Sequence, residues 1–152
     1  MEKNFEKNPV CSAMAGIQSV YYVDFDNVQT CLSAATGGVQ VSLLTNHNWS
    51  IIEADEAKAS ANYEELLAWR HRVELLYHGN QREVESDLME MTQRRFLVKV
   101  VDNNGTEWLY GHGASPLRFH FESENSGEAD GETAYRLTFE ALCPESERKI
   151  VS

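Results

Sequence analysis

Basic residues, cysteines and long apolar runs are what this chain has least of. Lysine and arginine number 13 against 24 aspartates and glutamates, a net charge of −11. Such a surface repels phosphate, which excludes binding to DNA or RNA by counterion release, sequence-specific or otherwise, and argues equally against docking on an anionic membrane. The excess is uneven: residues 69–121 carry seven bases and seven acids, so the surplus of acid lies in the flanks. Three cysteines, Cys11, Cys31 and Cys143, are odd in number and lack close CxxC spacing. No disulfide framework follows from them, and reduced, mostly packed thiols are expected. No apolar run approaches the length of a membrane span. The N-terminal Met1-Glu2-Lys3-Asn4 does not open a signal peptide, so the protein is expected to stay soluble in the cytoplasm.

With 152 residues the chain is long enough for one real core and short for two. Its organising stretch is residues 69–111. Trp69, His71, Val73, Leu75 and Tyr77 alternate with Arg70, Arg72, Glu74, Leu76 and His78, the period of a strand with one face on a core. Gly79 is expected to break that strand. Asn80 and Glu83 form a capping box for one short helix over residues 81–93, which would bury Val84, Leu88 and Met91. Residues 96–101 are apolar and β-branched, Asp102-Asn103-Asn104-Gly105 is turn chemistry, and residues 106–110 return as the second arm of a hairpin.

Elsewhere the signals vary in strength. Residues 1–9 form a polar arm ending in Pro9, expected to be flexible. Val20, Tyr22 and Asp24 alternate with Tyr21, Val23 and Phe25, a strand buried by its aromatic side. Residues 26–37 have no sustained period, and Thr36-Gly37-Gly38 is a turn ahead of Val39, Val41 and Leu43. Trp49, Ile51 and Ile52 open another apolar patch. Residues 54–67 are rich in helix formers yet show apolar positions only at Tyr63, Leu66 and Leu67, so both a surface helix and an extended arm fit. Leu117, Phe119 and Phe121 define one late strand, and Tyr135, Leu137, Phe139 and Ala141 the last, ended by Pro144. Between them residues 122–132 hold five acids and no base, a composition expected to stay mobile. The tail 145–152 is polar and expected to fray. The fold expected is α+β: a mainly antiparallel β-sandwich or barrel, residues 10–144, with one flanking amphipathic helix.

Catalytic constellations are weak. Asp24-Phe25-Asp26 has the form of a metal-binding DxD, but two carboxylates on one strand face read better as a solvated edge. The histidines contain no HxH or HExxH pair. His71, on the face of Trp69 and Val73, reads as a packed core histidine, and His78, His112 and His120 stand alone. No nucleophile signature surrounds a cysteine. Gly111-x-Gly113 lacks the context of a phosphate cradle, and Asp102-Asn103-Asn104-Gly105 lacks the bidentate Glu of a calcium loop. No catalytic, cofactor-binding or metal-binding residue is therefore assigned, and no cofactor is expected.

The order of pieces carries a resemblance. Cys11 and Gly16 ahead of an aromatic strand, the strand–helix–strand unit, VVDNNGTEWLYGHGASPLRFHFES, the acidic SGEADGE and the closing AYRLTFEALCPE together resemble small structural proteins of prophage tail modules in Bacteroidetes-type bacteria. The motifs are a hairpin with Asp-x-Asn-Gly, the Tyr110-Gly111 step and the stretch from Ala141 to Pro144. The resemblance implies a non-enzymatic virion component, tail-tube or tail-end-like, that self-associates or joins other tail-module proteins. It would sit in the host cytoplasm before assembly and in the virion after it. Net acidity suits a lumen through which DNA passes without adhering. Two other classes compete: a ligand-binding β-barrel with its cavity under Trp69, Tyr77 and Phe119, and a small hydrolase-type enzyme using His71 or His112.

Overall fold

The stretches that alternate in the sequence become the long strands of the fold. The computed structural model describes residues 16–35, 37–124 and 132–151, and of residues 80–82, 124 and 132 the backbone alone. The N-terminal arm, Cys11, the Asn80 cap and the centre of the acidic loop lie outside the described residues. The elements in order are β1 (Ile17–Asp24), a 3-10 turn (Phe25–Asn27), β2 (Val28–Ser33), β3 (Val39–Leu43), β4 (Ser50–Ile52), β5 (Glu56–Glu64) and β6 (Ala68–Asn80). Then come α1 (Gln81–Met91), β7 (Arg95–Asp102), β8 (Glu107–Tyr110), β9 (Leu117–Glu124), β10 (Glu132–Cys143) and β11 (Arg148–Lys149).

One antiparallel sheet runs β11-β8-β7-β9-β10-β6-β5, with β1 on the other edge of β7 and β4 beyond it, while β2 and β3 pair separately. The sheet folds over on itself where β7 meets β9 through only Arg95↔Arg118 and Phe96↔Leu117. Residues from β1, β4 and β7 on one side and from β5, β6, β9 and β10 on the other fill a shared core, with Val84, Leu88 and Met91 of α1 in it. The protein is thus mostly antiparallel β with one helix. Among the described residues the sheet does not close, because β5 pairs only with β6 and β4 only with β1, and this fits a sandwich better than a barrel.

Several expectations need correction. β1 is buried on both faces: Val20 and Tyr22 enter the main core, while Val23 joins Val39, Leu97 and Leu109 in a second core beneath the β2–β3 hairpin. A run apolar at nearly every position is what a strand covered on both sides requires. Residues 26–37, without a readable period, contain β2, a strand that owes its form to pairing with β3. Residues 54–67 are the extended arm rather than the helix. Ala57, Ala59 and Ala61 lie opposite Leu75, Val73 and His71 of β6, so pairing and burial outweigh the helix preference of alanine.

Gly79 does not break β6. The strand runs on to Asn80, and a Cβ at Gly79 would sit 2.7 Å from the Tyr77 ring and 2.8 Å from Val84 Cγ2. Glycine is needed there to let the helix turn back closely over the strand. The tail is not frayed either: Arg148 and Lys149 pair with Leu109 and Trp108, and Ile150 donates to Glu107 O at 2.8 Å. Val151 donates to Val39 O at 2.9 Å, tying the tail to the β2–β3 hairpin as well.

Candidate functional site

Titratable side chains gather around the loop between β8 and β9, residues 111–116. His71 projects from the inner face of β6 and is 1 % exposed. Its Nε2 lies 2.6 Å from the Glu145 carbonyl oxygen, and its Nδ1 accepts the Gly111 N–H at 2.9 Å. The proton therefore sits on Nε2, and the ring, edge-on to Tyr110, clasps strand, loop and tail together. Gly111 adopts φ 98°, and a Cβ there would stand 2.9 Å from Leu97 Cδ2. Position 111 is confined to glycine on both counts. His112 Nδ1 accepts the Ala114 N–H at 3.0 Å, which shapes the loop locally.

The thiols nearby are held protonated. Burial pushes Cys143 up to about 11, and its Sγ donates to Ser115 O at 3.5 Å. Burial also raises Cys31, against the opposing pull of Arg148 and the Gly113 amide. A nucleophilic cysteine needs a depressed value, since the thiolate is the reactive form. Both ring nitrogens of His71 are bonded to backbone, which ties strand, loop and tail together.

The clasp has a pH signature. Burial lowers the His71 pKa below its ordinary 6.5, and protonating Nδ1 would turn the Gly111 bond into a clash of donors. A base whose folded pKa is depressed contributes stability fully above its unfolded value and loses it as pH falls through the folded one. Unfolding free energy should accordingly fall on acidification below about pH 6.5. His71→Phe keeps a ring against Tyr110 but orphans the Gly111 amide and the Glu145 carbonyl. It should cost about 2 kcal/mol at neutral pH and flatten that acid slope. A variant whose melting temperature falls with pH as steeply as the parent's would show the slope to arise elsewhere.

The other sequence candidates resolve individually. Asp24 and Asp26 do not share a strand face: Asp24 ends β1 and accepts the Asp26 amide at 3.0 Å, capping the 3-10 turn, and accepts Arg94 Nη1 at 2.8 Å. Burial alone would raise the Asp24 pKa, but it lies below the usual range, with the Asp26 amide and the Arg94 guanidinium among the groups that lower it. Asp102 closes the β7–β8 hairpin by accepting the amides of Asn104 and Thr106 at 2.9 and 3.0 Å and Trp108 Nε1 at 3.1 Å. His78 meets the Asp55 carboxylate on the exposed side of β6, a pairing with nothing in the sequence to announce it. Tyr77 and Phe119 are buried in the main core, where the Phe119 ring packs tilted against Phe139 at 4.9 Å between centroids. Trp69 instead packs edge-on against Tyr63 at 5.4 Å. Among the described residues no group of three or more His, Cys, Asp or Glu could hold a metal ion, and no helix is long and apolar enough to cross a membrane.

A second region is the outer face of β9, β10 and β6 with the hairpin that joins β5 to β6. At one end of that face an open groove of about 390 Å³ lies over Pro116, Ala141 and Leu142, rimmed by Arg70, Arg118, His120 and Glu140. Beside it the hairpin tip carries Leu66 and Leu67, 94 % and 77 % exposed, with positive φ angles of 65° and 61°. Two consecutive bulky residues in the left-handed region are sterically unfavourable. Glu64 at the tip reaches Arg70 on the groove rim at 2.8 Å.

No known protein family, curated protein or solved structure matches the chain. Tyr63, Leu66 and Leu67 are the apolar positions of this segment, but no local pattern signals that the two leucines point outward. The groove was invisible because its residues come from β6, β9, β10 and the loop before β9.

Proposed function

We propose that this chain is a non-enzymatic structural subunit that works by self-association, of the tail-tube or tail-end kind that its sequence resembles. The observation that supports this best is the sheet edge. β5 runs nine residues with no strand among the described residues on its outer side, interrupted by Lys58 and continuing into a projecting leucine tip. An exposed edge of that length is a template for pairing with another chain unless the protein blunts it. The β-sandwich form of the fold is compatible with subunits that extend a sheet around a ring, and the net charge of −11 suits an acidic lumen.

Light scattering of the purified protein across concentration tests the reading. Mass should rise with concentration toward a defined oligomer. A mass that stays at that of one chain up to the solubility limit would sink self-association as the function.

A further inference from the structure

We propose that two copies of this chain dock reciprocally, the Leu66–Leu67 tip of each seated in the groove over Pro116 and Leu142 of the other. The proposal rests on the self-association reading and names its contact.

The tip is built at a cost to the monomer. Consecutive positive φ angles of 65° and 61° are what Asn-Gly adopts without strain, yet this hairpin places leucines there and leaves them 94 % and 77 % exposed. Neither leucine repays the conformation by packing within its own chain. Strain of this sort is kept where the strained residues meet something else.

The groove supplies what the tip lacks. Its floor is apolar and includes Leu142, 46 % exposed, and its rim carries Arg118 and His120. Among the described residues Arg118 has no carboxylate partner. The tip carries Glu65 next to the leucines, and Glu64 is already held by Arg70 at 2.8 Å. Glu65 of one copy and Arg118 of the other are then the opposite charges left to meet. In a chain of net charge −11, Arg118 on a rim that also carries Glu140 is the cation on which an acidic tip of the same chain can land.

Placement selects a second copy over an unrelated partner. The Glu64–Arg70 contact shows tip and groove side by side at one end of the sheet. A two-fold rotation between two molecules brings each tip over the other's groove, so both apolar surfaces are covered in one isologous contact. Pairing there also leaves the long edge of β5 open for further growth.

Sedimentation velocity across concentration, with melting curves at dilutions where the chains are apart, tests this on the wild type and three variants. The double change Leu66→Asn with Leu67→Gly should raise the melting temperature, by relieving the backbone, and weaken dimerisation by at least tenfold. Arg118→Glu, at an exposed position opposite Glu140, should weaken it too, and adding Glu65→Arg to Arg118→Glu should restore the association whatever small stability cost the repulsion between the new carboxylate and Glu140 adds to both. If the wild type associates and neither the tip variant nor Arg118→Glu changes its affinity, this contact is wrong and self-association uses another surface. A wild type that never associates overturns both. A tip variant that melts lower than the wild type as a monomer would show that the leucines serve the fold, which also overturns the proposal.

Discussion

Replacing Phe139 by alanine should lower the unfolding free energy by about 3–5 kcal/mol. Phe139 is completely buried, and its ring centroid lies 4.9 Å from Phe119, 5.7 Å from Phe96 and 6.3 Å from Tyr22. Phe96 and Tyr22 belong to β7 and β1 and Phe119 to β9, so this one ring joins the two halves of the folded-over sheet. Truncation removes the transfer energy of the ring and leaves a void walled by rigid aromatics that collapse poorly into it. Phe139→Leu, closer in volume, should cost less than Phe139→Ala. The check is urea unfolding with an unchanged slope. A midpoint shift worth under about 1 kcal/mol would mean the halves are not held through this cluster. For a domain whose total stability is typically about 5–15 kcal/mol, the predicted loss is large enough to show in expression yield.

Leu88→Ala should cost about 2–5 kcal/mol, while Met89→Ala should change stability by no more than about 0.5 kcal/mol. The two residues are neighbours on α1 with opposite surroundings: Leu88 is fully buried, and Met89 is 55 % exposed. Leu88 shares the core with Val84 and Met91, four and three residues away, where an amphipathic helix stacks its side chains on one face. Equal effects from the two substitutions would mean that α1 is rotated about its axis or does not hold its place on the sheet.

Substitutions in the core and at the tip should differ in sign. Core substitutions remove stability that the monomer needs, whereas changing Leu66 and Leu67 should give the monomer stability and take association away. That opposition separates residues kept for folding from residues kept for contact, a distinction that exposure alone does not make.

Local periodicity and turn chemistry were enough to determine much of this protein. β6, β9 and β10 follow from strict alternation, α1 from apolar positions three and four apart, and the β7–β8 hairpin from Asp102-Asn103-Asn104-Gly105, because each pattern is produced by contacts within or next to the segment itself. His71 could be read as a core residue from the company of Trp69 and Val73. What the tertiary structure alone decided depends on partners distant in the chain. β2 lacks a period because pairing with β3, not an apolar face of its own, holds it straight. β5 is extended because β6 lies beside it, against the preference of Ala57, Ala59 and Ala61 for helix. Arg148 to Val151 look like a polar tail, yet the carbonyls of Glu107 and Val39 order them. His71 reaches Glu145 across 74 positions, and the groove beside the tip exists only once β6, β9, β10 and the loop before β9 have come together. Hydrogen bonds and burial between segments far apart leave no local pattern, so these features entered with the fold.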